Sequence, residues 1–143
     1  VGFAGQGPNP VANAGQARGF RSLPKASVIS IIDDDEPVRS ATASLVRSHG
    51  YEARMFPSAE AFLQSLPSNP TDCLITDVQM PGMDGLQLQA MLIAQGCTVP
   101  MIFITAFPEE HIRRRALAAG AVCILGKPFS GDALIEGVRL ALQ

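Results

Sequence analysis

The sequence predicts an α/β fold in which helices cover both faces of a five-stranded parallel sheet. Two observations carry this expectation. Four short apolar runs, Val28 to Ile32, Cys73 to Asp77, Val99 to Thr105 and Ala121 to Leu125, lack polar alternation, as strands buried on both faces do. Segments with helical apolar spacing separate these runs, and strands alternating with helices imply right-handed crossovers and a parallel sheet.

The elements follow in order from Ala26. Val28 to Ile32 is the first strand, and Glu36 to His49 the first helix, with Val38, Ala41, Leu45 and Val46 at helical spacing, Pro37 in its first turn and Gly50 as its stop. Tyr51 to Phe56 alternates as a shorter strand. Ser58 caps a helix carrying Ala59, Phe62, Leu63 and Leu66, which Pro67 and Pro70 stop. After the third strand, a loop with Pro81, Gly82 and Gly85 leads to the helix of Leu86, Leu88, Leu92 and Ile93, closed by Gly96. The fourth strand precedes a helix near Glu109 to Ala119 that ends at Gly120. Ser130 caps the last helix, whose Leu134, Ile135, Val138 and Leu142 form an apolar stripe.

Composition narrows the class. A chain of 143 residues, 47% of them hydrophobic, is expected to hold one domain with a real core. Its formal net charge of −2 and the lack of a long basic run argue against nucleic-acid binding by this domain. Arg113, Arg114 and Arg115 form the only basic cluster and read as a solvated helix face. No stretch reaches the ~20 apolar residues of a membrane span. Cys73, Cys97 and Cys123 lack metal-ligand spacing and read as small hydrophobes of a reducing, cytoplasmic compartment. Residues 1–25, punctuated by Gly and Pro, are expected to be a tail or added segment outside the domain of residues 26–143. The chain begins with Val1 rather than methionine, which fits a fragment or a processed product.

Asp33, Asp34 and Asp35 follow the first strand directly, and Asp77 ends the third. In open α/β sheets the ligand site lies outside the carboxyl ends of the strands. Carboxylates gathered there repel one another by roughly 4 kcal/mol per pair at 4 Å and partial exposure, so a positive partner is required. A hard divalent cation such as Mg²⁺, which takes carboxylate, water and phosphate oxygens, fits best. Taken alone, the three aspartates are equally explicable as a cap for the next helix.

Thr105 after the fourth strand and Lys127-Pro128 after the fifth fall on the same rim. Singly, they read as a strand-end hydroxyl and a solvated charge. As a set, the motifs Ile32-Asp33-Asp34-Asp35-Glu36, Thr76-Asp77-Val78-Gln79-Met80-Pro81-Gly82-Met83-Asp84-Gly85, Ile104-Thr105-Ala106 and Gly126-Lys127-Pro128-Phe129 resemble the receiver domain of two-component response regulators, the CheY-like family. The resemblance runs from about Val28 to Leu142. It implies a doubly wound, flavodoxin-like sheet of order 2-1-3-4-5 and a phosphorylation-controlled switch.

On these positions the resemblance implies that Asp77 is the phosphoacceptor, served by a sensor histidine kinase. Asp33 and Asp34 would hold Mg²⁺ together with the Asp77 carboxylate and the main-chain carbonyl of Gln79. Lys127 would supply a point charge to a phosphate oxygen, and Thr105 would bond the phosphoryl group and move toward it. A cis Lys127–Pro128 bond is also implied. Asp35 and Glu36 read as helix-start charges, and neither His49 nor His111 suits a ligand or phosphorelay role.

The output would be a face of the fourth helix, fifth strand and last helix, with Ala116, Leu117 and Arg113 to Arg115 contributing, that pairs with a second receiver or an output domain. The chain looks closest to FixJ-like receivers, which usually precede a C-terminal helix-turn-helix DNA-binding domain; such a domain would lie beyond Gln143.

One position departs from the family pattern. Receivers commonly carry an aromatic three residues before the lysine, and here Ile124 stands there; a β-branched side chain stiff at χ1 cannot provide a ring flip. Phe107, two residues after Thr105, is unusual near the mouth of the site and is expected to slow dephosphorylation. Two other classes compete. A receiver-like interaction module independent of Asp77 fits Ile124 but not the intact acidic pair, Thr105 and Lys127. An aspartyl-phosphate hydrolase of the haloacid dehalogenase kind requires a second aspartate where Gln79 stands. No Gly-rich nucleotide loop follows the first strand.

Overall fold

The computed structural model describes residues 26–143, and the expected tail over residues 1–25 lies outside the described residues. Five strands and five helices alternate: β1 (Val28–Ile32), α1 (Glu36–Ser48), β2 (Glu52–Phe56), α2 (Ala59–Ser65), β3 (Cys73–Asp77), α3 (Gly85–Ala94), β4 (Met101–Thr105), α4 (Glu110–Ala118), β5 (Cys123–Gly126) and α5 (Gly131–Ala141). All strands pair in parallel in the order β2-β1-β3-β4-β5, the doubly wound 2-1-3-4-5 topology.

Strand periodicity sorts the apolar side chains into two cores. Ile29, Ile31, Cys73, Ile75, Ile102 and Ile104 pack with Ala43 and Val46 of α1 and Leu134, Ile135 and Val138 of α5. On the opposite face, Ile32, Leu74, Phe103 and Ile124 pack with Phe62 of α2, Leu86, Leu88 and Leu92 of α3, and Ala116 of α4. Burying each large side chain contributes roughly 1.5–3 kcal/mol, so a Phe62→Ala truncation alone would remove a substantial fraction of the stability.

Three strands begin later than the apolar runs suggest, for one shared reason. Helices α1, α3 and α4 close with glycines at positive φ, Gly50 (89°), Gly96 (76°) and Gly120 (102°). The next residue then still donates to the helix: Tyr51 to Val46 O, Cys97 to Leu92 O and Ala121 to Ala116 O. The chain must clear these caps before it extends, so β2 starts at Glu52, β4 at Met101 and β5 at Cys123.

Two stripes are also rotated from expectation. In α1 the buried residues are Thr42, Ala43 and Val46, whereas Ala41 is exposed and Val38 and Leu45 are half-buried. Thr42 tolerates burial because its hydroxyl donates to Val38 O at 2.8 Å. In α3, Ile93 is exposed, and Gln89 is buried instead, its Nε2 donating to Ala116 O at 3.1 Å. Ala116 is therefore buried between helices and does not belong to the outer face of α4, a correction to the surface expected above. Leu117 and the three arginines do remain exposed. Burial pushes the Cys73 thiol up to about 12 and raises that of Cys123, in keeping with their reading as inert apolar side chains. Among the described residues, no helix is long and apolar enough to cross a membrane.

Candidate functional site

The carboxyl ends of β1, β3, β4 and β5 meet on one rim, at the β1/β3 point where strand order reverses. The local backbone divides the acidic run. Asp35 is the N-cap of α1, its carboxylate accepting from the Val38 N–H at 3.4 Å. Asp33 turns inward and is buried: Oδ1 accepts from the Asp35 N–H at 2.9 Å, and its main-chain carbonyl accepts from Arg39 Nη1 at 2.6 Å. Asp34, between them, is exposed at the lip.

Asp77 is buried at the end of β3, where Oδ1 accepts from the Gln79 N–H at 3.2 Å. Lys127 joins the two strand ends, with Nζ 2.9 Å from Asp77 Oδ2 and 3.1 Å from Asp33 Oδ2. The Lys127–Pro128 bond is cis, as the resemblance implies.

Electrostatics follow from this packing. Burial raises Asp77 above the ordinary carboxylate range, the Lys127 hydrogen bond opposes that rise, and the Asp33 charge adds to it. For Lys127, burial alone would lower the pKa. The hydrogen bonds and charges of Asp77 and Asp33 outweigh burial and hold it above its usual value.

Oxygens of Asp33, Asp34 and Asp77 lie within 4.8 Å of one another. Three carboxylates and one ammonium leave an excess of two negative charges in a small volume. An all-oxygen donor set with that excess fits a hard divalent cation.

Thr105, wholly buried at the end of β4, donates its hydroxyl to Gln79 Oε1 at 2.7 Å and accepts the Phe107 N–H at 3.1 Å. Its main-chain carbonyl accepts the Lys127 N–H at 2.8 Å, tying the β4 and β5 ends together. Phe107 itself is 65% exposed. All the predicted rim residues, Asp33, Asp34, Asp77, Gln79, Thr105 and Lys127, thus occupy one connected site.

Besides the Gln79–Thr105 bond, three supporting contacts are absent from the expectations drawn above. A Cβ on Gly85 would lie 2.4 Å from Asp77 O, so the α3 start can approach the end of β3 only with glycine there. Asp84 and Gln87 form a capping box at that start. The spacing of an acidic N-cap and a glutamine three residues on was its available signal. Glu60 of α2 accepts the Met83 N–H at 3.0 Å, pinning the loop that carries Gln79, and this bond holds its carboxyl below the ordinary range.

Residues 29–139 match the response regulator receiver domain family. The chain belongs to this family, the receiver domain of two-component signal transduction. It is similar to the response regulator protein TodT of Pseudomonas putida, 42% identical over 119 residues that span 83% of this chain and 52% of TodT. Similarity extends to the transcriptional regulatory protein FixJ of Bradyrhizobium diazoefficiens, 35% identical over 80% of this chain and 56% of FixJ. The chain spans about half the length of these relatives. Among solved structures, FixJ-N superposes with a TM-score of 0.76 at 34% identity, covering 83% of this chain and 95% of FixJ-N.

Proposed function

We propose that Asp77 accepts a phosphoryl group from the phosphohistidine of a cytoplasmic sensor histidine kinase, and that the modified domain switches a protein-interaction face. The observation that carries this reading is the Lys127 ammonium bridging Asp33 and Asp77 beside Asp34. An Asp77 oxygen forms a bond to phosphorus, the phosphorus–nitrogen bond breaks with its electron pair leaving on the imidazole, and that nitrogen takes up a proton. Lys127 stays within reach of a phosphoryl oxygen as a point charge, and the ionised form of the Asp77 carboxylate is the nucleophile, which needs no general base. Asp33, Asp34, the Asp77 carboxylate and the Gln79 carbonyl would hold Mg²⁺, which when bound would supply the positive charge that lets two anions meet.

Thr105 bonds a phosphoryl oxygen in the modified state, and the population shifts on the face of α4, β5 and α5. Leu117 and Arg113 to Arg115 present that face to a second receiver or an output domain, including a DNA-binding domain outside this chain. The domain acts as a regulatory acceptor rather than as an enzyme on other molecules, catalysing only its own phosphorylation and dephosphorylation. Phe107 slows the latter; an acyl phosphate of unchanged lifetime in Phe107→Ala would remove that role.

Incubation with acetyl phosphate and Mg²⁺, read by intact mass, tests the proposal. One added phosphoryl group is expected, absent in Asp77→Asn and absent without Mg²⁺. No gain with any of several donors would favour the phosphorylation-independent interaction module, a reading to which the buried Ile124 at the usual aromatic position lends weight.

A further inference from the structure

Gln79 makes three different connections. Its N–H donates to Asp77 Oδ1 at 3.2 Å, and its side-chain Oε1 accepts the Thr105 hydroxyl at 2.7 Å across 26 residues of sequence. Its carbonyl is the main-chain ligand proposed above. The Thr105 oxygen is otherwise occupied by the Phe107 N–H, so its single proton has one acceptor in the resting domain, and that acceptor is Gln79.

A hydroxyl has only one proton to donate. For Thr105 to bond a phosphoryl oxygen, its bond to Gln79 must break. We infer that the Gln79 side chain is a latch that holds Thr105 in the resting position, so that modification of Asp77 must release this contact before the β4–α4 loop can move.

The inference deepens the phosphoacceptor reading and rests on it. Gln79 is well suited to the task because it belongs to the acceptor loop: its backbone senses Asp77 through one bond, while its side chain restrains Thr105 through another. The contact forms between an exposed glutamine and a buried threonine, so its net strength lies toward the low end for a hydrogen bond. A latch of that size lowers the population of the competent loop, and with it the apparent affinity for a phosphoryl group, by about three-fold.

Gln79→Met tests it, since methionine keeps the length and flexibility of the side chain, offers no strong acceptor and leaves the main-chain carbonyl in place. In the unmodified protein, hydrogen exchange at the Phe107 amide, which donates to Thr105 Oγ1, is expected to quicken about three-fold as the restraint on its acceptor is lost. Beryllofluoride with Mg²⁺, a stand-in for the phosphoryl group, is expected to bind Gln79→Met about three-fold more tightly than the wild type. That tightening should vanish when both proteins also carry Thr105→Val.

Unchanged exchange at Phe107 would overturn the latch, as would equal or weaker beryllofluoride affinity, or a tightening that persists with Thr105→Val. Failure of the wild type to bind beryllofluoride would instead count against the phosphoacceptor reading. The exchange measurement would then still judge the Gln79–Thr105 restraint by itself.

Discussion

Lys127 Nζ lies 2.9 Å from Asp77 Oδ2 in a setting where the lysine side chain is 20% exposed and the aspartate side chain 7%. The same nitrogen bonds Asp33, so deleting the ammonium leaves two buried carboxylates facing each other. Lys127→Met is therefore expected to lower stability in metal-free buffer by about 2 kcal/mol, less than for a fully dry pair because water reaches the lysine. Urea melts with and without Mg²⁺ check this, and the deficit should shrink when Mg²⁺ is present.

The raised pKa of Asp77 fixes the sign of a pH effect. The folded state holds this proton more tightly than the unfolded state, whose value is near 3.8. The resulting stabilisation is complete below that value and is lost as pH rises through the higher folded one. Lys127, shifted upward from 10.5, remains charged over this range. In Mg²⁺-free urea melts between about pH 4 and pH 7, the wild type should lose stability relative to Asp77→Asn as pH rises. A flat or rising difference would contradict the assignment of burial as the dominant cause.

On the proposed function, Asp33, Asp34 and Asp77 would hold Mg²⁺ in the folded chain and not in the unfolded one. At one hundred times its dissociation constant, Mg²⁺ should add about 2.7 kcal/mol of stability. Thermal melts over a Mg²⁺ titration should show a concentration-dependent rise that is much reduced in Asp34→Asn. An equal rise in both proteins would place the cation elsewhere.

Gly85, the first residue of α3, packs against the end of β3. A methyl group added there would stand 2.4 Å from Asp77 O, and no rotamer change relieves that clash, because the obstacle is backbone. Gly85→Ala should cost about 1–3 kcal/mol in a urea melt and also weaken Mg²⁺ binding, since the strain falls on Asp77, a proposed ligand. Stability and metal affinity both equal to the wild type would show that the loop has room the packing denies.

The fold was legible because buried strands have no disguise: Val28 to Ile32 and Cys73 to Asp77 can be little else in a chain that alternates with helical stripes. Strand starts were less so, because the Gly50 and Gly120 caps consume the residue that the apolar runs hand to the next strand. The α1 stripe misled through Thr42, whose polarity is hidden by a bond to its own helix.

At the site, Asp33, Asp34, Asp77, Thr105 and Lys127 were found as a set of strand ends rather than singly. What the sequence could not show were contacts made by side-chain reach across the rim. Glu60 meets Met83 across 23 residues and Gln79 meets Thr105 across 26, and no local pattern encodes either. Ala116 was misplaced for a similar reason, since its burial depends on Gln89 of a different helix.

The proposed function requires that Asp77, and neither Asp33 nor Asp34, forms the acyl phosphate. An acyl phosphate is reduced by borohydride to an alcohol, which converts the modified aspartate to homoserine, whereas free carboxylates do not react. Protein treated with acetyl phosphate and Mg²⁺, then with borohydride, can be digested and sequenced by tandem mass spectrometry. Homoserine at position 77 alone is the predicted result. Homoserine at position 33 or 34, or an aspartate still intact at 77 in phosphorylated protein, would contradict Asp77 as the phosphoacceptor.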